Sequence, residues 1–370
     1  MARNTIAYID PAAVAHNLDW VRNRAPDSRV MAVVKADAYG HRIDLCLPAL
    51  KQADMLAVAT LEEARAIRRL GNGLPVVLLE GVSRFGDLAV ADDLNVELVV
   101  HHESQLDVLE RYGRIPTGRI WLKVDTGMHR LGIAPENAAP VHRRLQNMKG
   151  VEQVSLVSHL ACAEAPTHPL TRRQLDVFER LSQTLGGQRC LVNSAGLINM
   201  PQAHFEWVRA GLVLYGISPL SGQAGRDIGL RPAMTLTAEL IAINTVKAGE
   251  SIGYGARFVA DRNMKVGVAS IGYGDGYPRH MPDGAPVQVG NRCCRLAGRV
   301  SMDMITIDLS HCPDARIGDP VVVWGSGVPI EKAAALAGTI PYELSCRITR
   351  RIRFKSGAPA FATAGGAALE

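Results

Sequence analysis

Residues 30–35 read Val-Met-Ala-Val-Val-Lys, a run of five apolar side chains that ends in a lysine. A continuous apolar run of this length is typical of a strand that is covered on both faces, as in a parallel sheet. Seven later runs have the same character, and segments with helical spacing, such as residues 61–70, separate them. We therefore predict strands at residues 30–35, 55–59, 76–79, 96–100, 120–124, 154–159, 191–193 and 205–210.

Eight strands that each precede a helix-like segment predict an α/β fold, a parallel (β/α)8 barrel of the TIM type. An open doubly wound sheet is the competing interpretation of the same pattern. Its dinucleotide-binding version would carry Gly-x-Gly-x-x-Gly after the first strand, and no such motif follows Lys35. In a barrel the C-terminal ends of the strands form the catalytic face, so Lys35 would stand at that face.

The pattern changes after Arg231-Pro232, where alternating runs and Gly- and Pro-rich turns replace the long amphipathic segments. These runs predict a mostly β second domain with strands near residues 234–240, 265–271, 286–289, 304–309 and 320–324. We predict a barrel domain over residues 1–231 and a C-terminal β domain over residues 232–370.

Composition excludes several classes of protein. Hydrophobic residues make up 47% of the 370 and charged residues 21%, the balance of a globular chain. The net charge is +5, but the basic residues are scattered, so we predict no nucleic-acid partner. A local basic cluster near the C-terminus is interpreted as a solvated edge; it consists of Arg347, Arg350, Arg351, Arg353 and Lys355.

Targeting and redox signals point to the cytoplasm. The apolar runs are shorter than the ~20 residues that a membrane span needs, so we expect no membrane insertion. No signal peptide opens the sequence, which predicts a cytoplasmic protein. Seven cysteines without a Cys-x-x-Cys pair indicate free thiols rather than a disulfide framework or a metal site.

Lys35 has two interpretations when it is judged by position alone. Burial at a barrel mouth disfavours an ammonium group and makes the neutral amine a competent Schiff-base nucleophile. A lysine at a strand end can also simply extend to water. Position alone favours the second interpretation, and the surrounding residues reverse this.

The stretch Lys35-Ala-Asp-Ala-Tyr39-Gly-His41 resembles the cofactor-lysine signature of alanine racemases, which are pyridoxal-phosphate (PLP) enzymes. Further blocks resemble the same family, in its order and over nearly the whole chain: Trp121 to Gly132, Ser158 to Glu164, Asn193-Ser194-Ala195, Val208 to Gly216, Gly253-Tyr254-Gly255, Gly272 to Arg279, Val300 to Met304 and Pro341-Tyr342-Glu343. The resemblance implies a PLP-binding (β/α)8 barrel followed by a β domain. It also implies that the small-molecule substrate is L- or D-alanine.

By this resemblance Lys35 anchors PLP and is one of two catalytic bases, and Tyr254 from a partner subunit is the other. Racemisation uses two bases because a proton leaves one face of Cα and another returns to the opposite face. His159 is implied to hydrogen-bond the tyrosine. Arg209 is implied to contact His159 and to donate to an unprotonated pyridine nitrogen, which weakens the cofactor as an electron sink and suppresses transamination.

The remaining implied sites surround the cofactor and the substrate. The phosphate and its surroundings are assigned to Tyr39, Asn193, Ser194, Gly211, Leu212 and Tyr342. The substrate carboxylate is assigned to Arg130, Met302 and Asp303. Lys123 matches a lysine that is often carbamylated, although an unmodified exposed lysine remains open. The entrance residues are Glu164, Tyr273, Arg279 and Ile340, and the narrow pocket that they imply favours alanine with some leakage to serine.

A site that uses Tyr254 and Asp303 from another chain implies a head-to-tail homodimer with twofold symmetry. The chain departs from the family at Arg42 and Gly274, where glycine and alanine are usual, and at Ala210, where proline is common. Two competing functions stay open: another PLP barrel enzyme, such as a broader racemase or a decarboxylase, and a non-catalytic PLP-binding barrel. The sequence leaves open whether D-alanine supplies peptidoglycan or alanine is broken down.

Overall fold

The structure is a computed structural model that describes residues 3–363. Within this span a first strand, β1 (Ile6–Ile9), precedes eight parallel strands that close into a barrel. The barrel strands are β2 (Arg29–Val33), β3 (Met55–Val58), β4 (Val76–Leu78), β5 (Val96–Val100), β6 (Arg119–Lys123), β7 (Gln153–Val157), β8 (Arg189–Cys190) and β9 (Trp207–Ala210). The ring closes where β9 pairs with β2, with Met31 opposite Arg209. The barrel prediction is confirmed, and the open-sheet alternative is wrong.

Most predicted strands lie within two residues of the observed ones, but the eighth was misplaced. The sequence favoured residues 191–193, whereas β8 pairs at Arg189–Cys190. The chain leaves the ladder after Cys190, and Asn193 then caps the next helix by accepting a bond from the Gly196 amide at 3.0 Å. The apolar character of Leu191 and Val192 reflects their burial behind the barrel.

Helices surround the barrel and close the C-terminal region: α1 (Pro11–Arg24), α2 (Lys35–Tyr39), α3 (Ile43–Cys46), α4 (Leu61–Arg69), α5 (Phe85–Asp93), α6 (Glu103–Tyr112), α7 (Pro135–Gln146), α8 (Pro169–Leu185), α9 (Ser194–Asn199), α10 (Ile330–Leu336) and α11 (Pro341–Cys346). Local sequence explains several starts. Thr60 and Glu63 form a capping box at α4, and Pro11, Pro135, Pro169 and Pro341 occupy first-turn positions where a missing amide hydrogen costs nothing. No helix among residues 3–363 is long and apolar enough to span a membrane.

Large side chains fill the interior of the barrel. Trp121 and Trp207 meet edge to face with ring centroids 5.7 Å apart, and Met31, Met55 and Val77 pack in the same cluster. The Trp121 indole donates to Glu97 at 2.7 Å, which satisfies both polar groups in this buried layer. The barrel is therefore a packed core, and its chemistry is confined to the strand ends.

The C-terminal region is a mostly β structure, as predicted. Its strands are β10 (Met234–Val246), β11 (Ser251–Ile252), β12 (Phe258–Val259), β13 (Met264–Ala269), β14 (Pro286–Val289), β15 (Arg292–Leu296), β16 (Ile305–Asp308), β17 (Pro320–Trp324) and β18 (Arg353–Ser356). Eight strands form one sheet in the order β13-β16-β15-β14-β17-β10-β1-β18, and β13 also pairs with β10.

The first strand connects the two ends of the chain. β1 pairs antiparallel with β10 and parallel with β18, so residues 6–9 belong to the sheet of the C-terminal region. The division at residue 231 stays a prediction, and it counts this strand with the barrel. Because β1 is held between β10 and β18, Arg3, which precedes it, reaches Asp275 and the Asp303 carbonyl.

Candidate active site

A cavity of about 470 Å³ opens at the C-terminal ends of the barrel strands, and we call it the barrel-mouth cavity. Eleven of the predicted site residues line it: Lys35, Tyr39, Lys123, Arg130, His159, Asn193, Ser194, Arg209, Gly211, Leu212 and Tyr342. They come from separate strand ends and loops, which only the closed barrel brings together. Their roles stay predictions, but their common location is a structural fact.

Lys35 enters the cavity from an unusual turn. Helix α2 is left-handed after its first residue: Ala36, Asp37, Ala38 and Tyr39 have φ between 53° and 57°. For residues with a Cβ this conformation costs roughly 1–2 kcal/mol each, so the surroundings must hold it. Lys35 and Tyr39 are four residues, about one helical turn, apart, and both line the cavity.

Two carboxylates support this turn. Glu63 accepts a hydrogen bond from the Ala36 amide at 2.7 Å, and Asp37 accepts one from the Ile43 amide at 2.8 Å. Gly40 ends the turn with φ 78°, and a Cβ there would lie 2.1 Å from the Ser345 carbonyl oxygen of α11. Glycine is therefore required at this position, because α11, which carries Tyr342, packs directly against the turn.

Arg209, which is buried, and His159, which is partly buried, form a hydrogen-bonded pair in the wall of the cavity. One Arg209 nitrogen donates to Nδ1 of His159 at 2.8 Å and to the Ser158 carbonyl at 3.1 Å. Another donates to the Cys190 sulfur at 3.3 Å. Burial, followed by the positive charges of Arg209, Arg130, Lys123 and Lys35, lowers the pKa of His159 to about 2. His159 is therefore neutral at physiological pH.

The tautomer of His159 follows from this contact. Arginine has only donors, so Nδ1 must accept and the single ring hydrogen must lie on Nε2. His159 therefore offers one N–H donor to a group on its far side, and Arg209 fixes that orientation. The pair can stabilise an anionic oxygen without transferring its own proton.

A hydroxyl and amide cradle forms one end of the cavity. The Ser194 hydroxyl accepts from the Gly211 amide at 3.1 Å, and the Tyr39 and Tyr342 rings lie 5.7 Å apart. Burial, and then the neighbouring Tyr342, raises the pKa of Tyr39, so its hydroxyl keeps its proton and can donate. A Cβ on Gly211 would lie 2.9 Å from the Tyr39 oxygen and would narrow this cradle.

The charge of the cavity favours an anionic ligand. Four cationic residues line it, Lys35, Lys123, Arg130 and Arg209, against the one carboxylate of Glu80. Burial and the charges of Arg209, Arg130 and Lys35 lower the pKa of Lys123 to about 8. Such an excess of positive charge is stabilised when phosphate or carboxylate groups enter. The cradle and the cations together fit PLP and an amino-acid carboxylate.

The other predicted catalytic residue lies outside this cavity. Tyr254 is 69% exposed and lines a separate depression of about 570 Å³ with Arg299, Ser301 and Met304. Met302 is 53% exposed, and Asp303 forms an ion pair with Arg351. We call this region, residues 253–255, 268 and 299–306, the Tyr254 surface. Within one chain the structure does not bring it to Lys35.

The predicted entrance residues divide between the two regions. Ile340 is 58% exposed just before α11, two residues from Tyr342. Glu164 is near enough to Tyr342 to contribute, after burial, to raising the pKa of that tyrosine. Tyr273 and Arg279 are exposed and follow β13, and the Tyr273 amide donates to the Ser301 carbonyl of the Tyr254 surface at 3.0 Å.

Sequence reasoning missed several residues of the cavity wall, namely Val33, Leu79, Glu80, Val99, Leu131, Val157 and Ser158. It also missed Tyr215, which donates to the Val33 carbonyl at 2.9 Å and lies behind Tyr39 with ring centroids 5.3 Å apart. Val33, Val99 and Val157 follow the inward alternation of the strands, which could have indicated them. Glu80 and Tyr215 carry no such signal.

Comparison with known proteins connects this geometry to a family. The family model for the alanine racemase N-terminal domain matches residues 9–219, and the model for the C-terminal domain matches residues 233–356. The chain belongs to the alanine racemase family. The competing decarboxylase and non-catalytic barrel interpretations are therefore wrong. The activity of this chain is that of the family, the interconversion of L- and D-alanine.

Individual relatives agree over almost the full length. The chain is 49% identical over 347 residues to the alanine racemase of Nitrosococcus oceani, covering 94% of this chain and 97% of the relative. It is 44% identical to the biosynthetic alanine racemase of Pseudomonas aeruginosa, with 95% and 98% covered.

Solved structures give the same result. The biosynthetic alanine racemase from Pseudomonas aeruginosa superposes with a TM-score of 0.92 at 42% identity, covering 96% of this chain and all of the other. The alanine racemase from Bartonella henselae, described with covalently bound pyridoxal phosphate, has a TM-score of 0.84 at 25% identity, covering 95% and 99%. The family is PLP-dependent, and the barrel-mouth cavity fits that cofactor.

Proposed function

We propose that this chain racemises alanine by a two-base proton exchange at a site shared between two copies, with PLP anchored on Lys35. The observation that carries the proposal is the separation of the two bases. Lys35 lines the barrel-mouth cavity, whereas Tyr254 is 69% exposed in another depression. Two bases on opposite faces of one Cα can then come together only if a second chain covers the cavity.

The residues that would hold PLP follow from the donor sets. Lys35 supplies the amine, and the cradle of Tyr39, Ser194, Gly211, Leu212 and Tyr342 would receive the phosphate. Arg209 would donate to the pyridine nitrogen, and Asn193 orders the loop by capping α9. When bound, PLP withdraws electrons from the substrate Cα and so makes its proton acidic.

Lys35 and Tyr254 of the partner subunit would exchange that proton on opposite faces. A tyrosine base needs its ionised oxygen stabilised, and His159 has one N–H free for this purpose on Nε2. Arg209 keeps that donor aimed, since it occupies Nδ1. The positive charges around His159 act on the same oxygen and favour its anionic form.

Arg130 and Lys123 would organise the substrate side. Arg130 lines the cavity and would contact the alanine carboxylate, and Met302 and Asp303 of the partner subunit would lie near that carboxylate. Lys123 has a pKa of about 8, so its neutral amine is accessible near physiological pH. Addition of CO2 to that neutral amine, with release of one proton to solvent, would give a carbamate anion that holds Arg130 in place.

The entrance would select small substrates. Tyr342 lines the cavity, and Ile340, Glu164, Tyr273 and Arg279 would narrow the approach when two chains meet. One extra methylene or hydroxyl is discriminated by only about 1–3 kcal/mol, so some serine turnover is expected.

The assembly and the location are also proposed. A head-to-tail homodimer would complete two equivalent sites, because each chain offers one cavity and one Tyr254 surface. All seven cysteines, which fall within the described residues, are free thiols, and this supports a reducing cytoplasm. Relatives named as biosynthetic favour D-alanine supply for peptidoglycan. Deletion of the gene would then make growth depend on added D-alanine, whereas independent growth would favour a role in alanine breakdown.

The decisive experiment compares Tyr254→Phe with the wild-type holoenzyme. We expect loss of D-alanine formation from L-alanine by at least about 10²-fold, the low end for a general base, while the cofactor absorbance stays intact. Tyr112→Phe is the matched control, because this half-buried tyrosine donates to Asp92 on the outer helices. Full activity in Tyr254→Phe would overturn the two-base assignment. Serine, lysine and arginine, offered as parallel substrates to the wild-type enzyme, test whether the entrance selects small amino acids.

A further inference from the structure

A buried carboxylate lies directly beneath the turn that carries Met302 and Asp303. Asp275 is completely buried, and it accepts from the Gly272 amide at 2.9 Å and from Arg3 Nη1 at 2.7 Å. Arg351 Nε lies 3.4 Å from the same carboxylate. A buried charge of this kind is stable only when it is paired, and here two arginines from opposite ends of the chain pair it.

The same two arginines reach Asp303. Arg351 forms an ion pair with the Asp303 carboxylate, and Arg3 Nη2 donates to the Asp303 carbonyl at 2.7 Å. The backbone reinforces the connection, because the Tyr273 and Gly274 amides donate to the Ser301 and Met302 carbonyls at 3.0 and 2.9 Å. Turns 273–275 and 301–303 are therefore one unit.

Gly274 makes room for this arrangement. A Cβ at Gly274 would lie 2.2 Å from Arg351 Nη1 and 3.0 Å from the Met302 carbonyl oxygen. The φ of Gly274 is not in the left-handed region. Glycine therefore fits this position because it leaves space for Arg351, and not because the backbone conformation requires it.

We propose that Arg351 is a positioning residue for substrate binding, and that it acts by neutralising Asp303 and by fixing the 301–303 turn beside the substrate carboxylate. The proposal rests on the proposed shared site, in which this turn faces the partner's cavity. An unpaired Asp303 would repel the carboxylate of alanine, since like charges in close contact oppose binding. The interpretation of the C-terminal basic cluster as a solvated edge therefore does not describe Arg351, which pairs with Asp275 and Asp303.

The test uses the holoenzyme with Arg351→Gln, Arg351→Lys and Gly274→Ala. For Arg351→Gln we expect the KM for alanine to rise about tenfold, the effect of about 1.4 kcal/mol, with kcat changed less than about twofold. The increase should depend on the charge of Asp303, because an unpaired carboxylate there repels the carboxylate of alanine. The KM values of Arg351→Lys and Gly274→Ala should lie between those of wild type and Arg351→Gln. Arg351→Lys keeps the positive charge, and Gly274→Ala only displaces the Arg351 guanidinium.

The double variant Arg351→Gln, Asp303→Asn separates charge from architecture. If repulsion by Asp303 is the cause, removing its charge lowers the KM of Arg351→Gln. Arg144→Gln is the matched control, because Arg144 also pairs with two carboxylates, here the exposed Asp107 and Glu110 on the outer helices. Its KM should equal that of wild type.

Two results would overturn the inference: an unchanged KM in Arg351→Gln, or an increase in KM that Asp303→Asn does not relieve. Should Arg351→Gln fail to fold, Gly274→Ala with Arg351→Lys decides the question by the same KM readout. Failure of the shared site itself is detected separately, by mixing inactive Lys35 and Tyr254 variants. Successful complementation with unchanged KM in the Arg351 variants contradicts only the positioning role.

Discussion

The barrel-mouth cavity and the Tyr254 surface differ in how much of their chemistry one chain supplies. In the cavity, Arg209 has three partners, His159 has a fixed tautomer, and the Ser194 hydroxyl is bonded to backbone amides. On the Tyr254 surface, Tyr254 and Met302 are mostly exposed. One chain therefore supplies the hydrogen-bond partners of the cavity residues. The side chains of the Tyr254 surface stay exposed in one chain, and in the proposed dimer a second chain would enclose them.

The largest expected effect tests the organised region. Lys35→Ala removes the amine that would anchor PLP and one of the two bases, so we expect loss of alanine turnover by more than about 10³-fold. The yellow cofactor absorbance should be lost as well. Lys51→Ala, an exposed lysine beyond α3, is the control and should behave as wild type. Retained covalent cofactor in Lys35→Ala would place the anchor elsewhere.

The second prediction joins the two regions. Mixing the inactive Lys35→Ala and Tyr254→Phe proteins, with exchange of subunits, should restore about a quarter of wild-type activity. Half of the dimers are hybrids, and each hybrid has one intact site of two. The measurement is alanine racemisation before and after exchange, with dimer mass as a check. If each chain held a complete site, mixing would restore nothing.

A smaller effect is expected at the cradle. Gly211→Ala would place a Cβ 2.9 Å from the Tyr39 oxygen, so the hydroxyl must move away from the phosphate position. We expect PLP affinity to fall about tenfold, the loss of roughly one good hydrogen bond. Equilibrium dialysis of the cofactor measures it. Gly86→Ala in α5 meets no atom within 4 Å and serves as control; equal affinities would contradict a role for this cradle.

The smallest effect concerns the Lys123 side chain. Its pKa is lowered from 10.5 to about 8, so the amine is mostly an ammonium at pH 7 and mostly neutral at pH 9. Because only the neutral amine adds CO2, carbamylation in bicarbonate should increase through this range, with an activity gain of a few-fold, about 1 kcal/mol. Carbon-13 NMR with labelled bicarbonate detects the adduct. Lys123→Gln should lack both signal and pH response.

Much of the fold was predictable because the barrel strands carry a local signal. Apolar runs covered on both faces marked seven of the eight strands closely, and β14 and β17 were placed at their observed bounds. The eighth strand was misplaced, because β8 is only two residues long and the apolar residues after it pack behind the barrel. Periodicity reports burial, and burial does not distinguish a strand from the loop that follows it.

The sequence by itself determined the barrel, the β region and the family, and it named eleven of the residues that line the cavity. Tertiary structure alone decided three things: the left-handed turn between Lys35 and Tyr39 at the cavity, the tautomer of His159, and the pairing of Arg3 and Arg351 with Asp275. Each depends on atoms that are distant in sequence. A local pattern records which side chains are buried, but not which charges and hydrogen-bond donors they meet there.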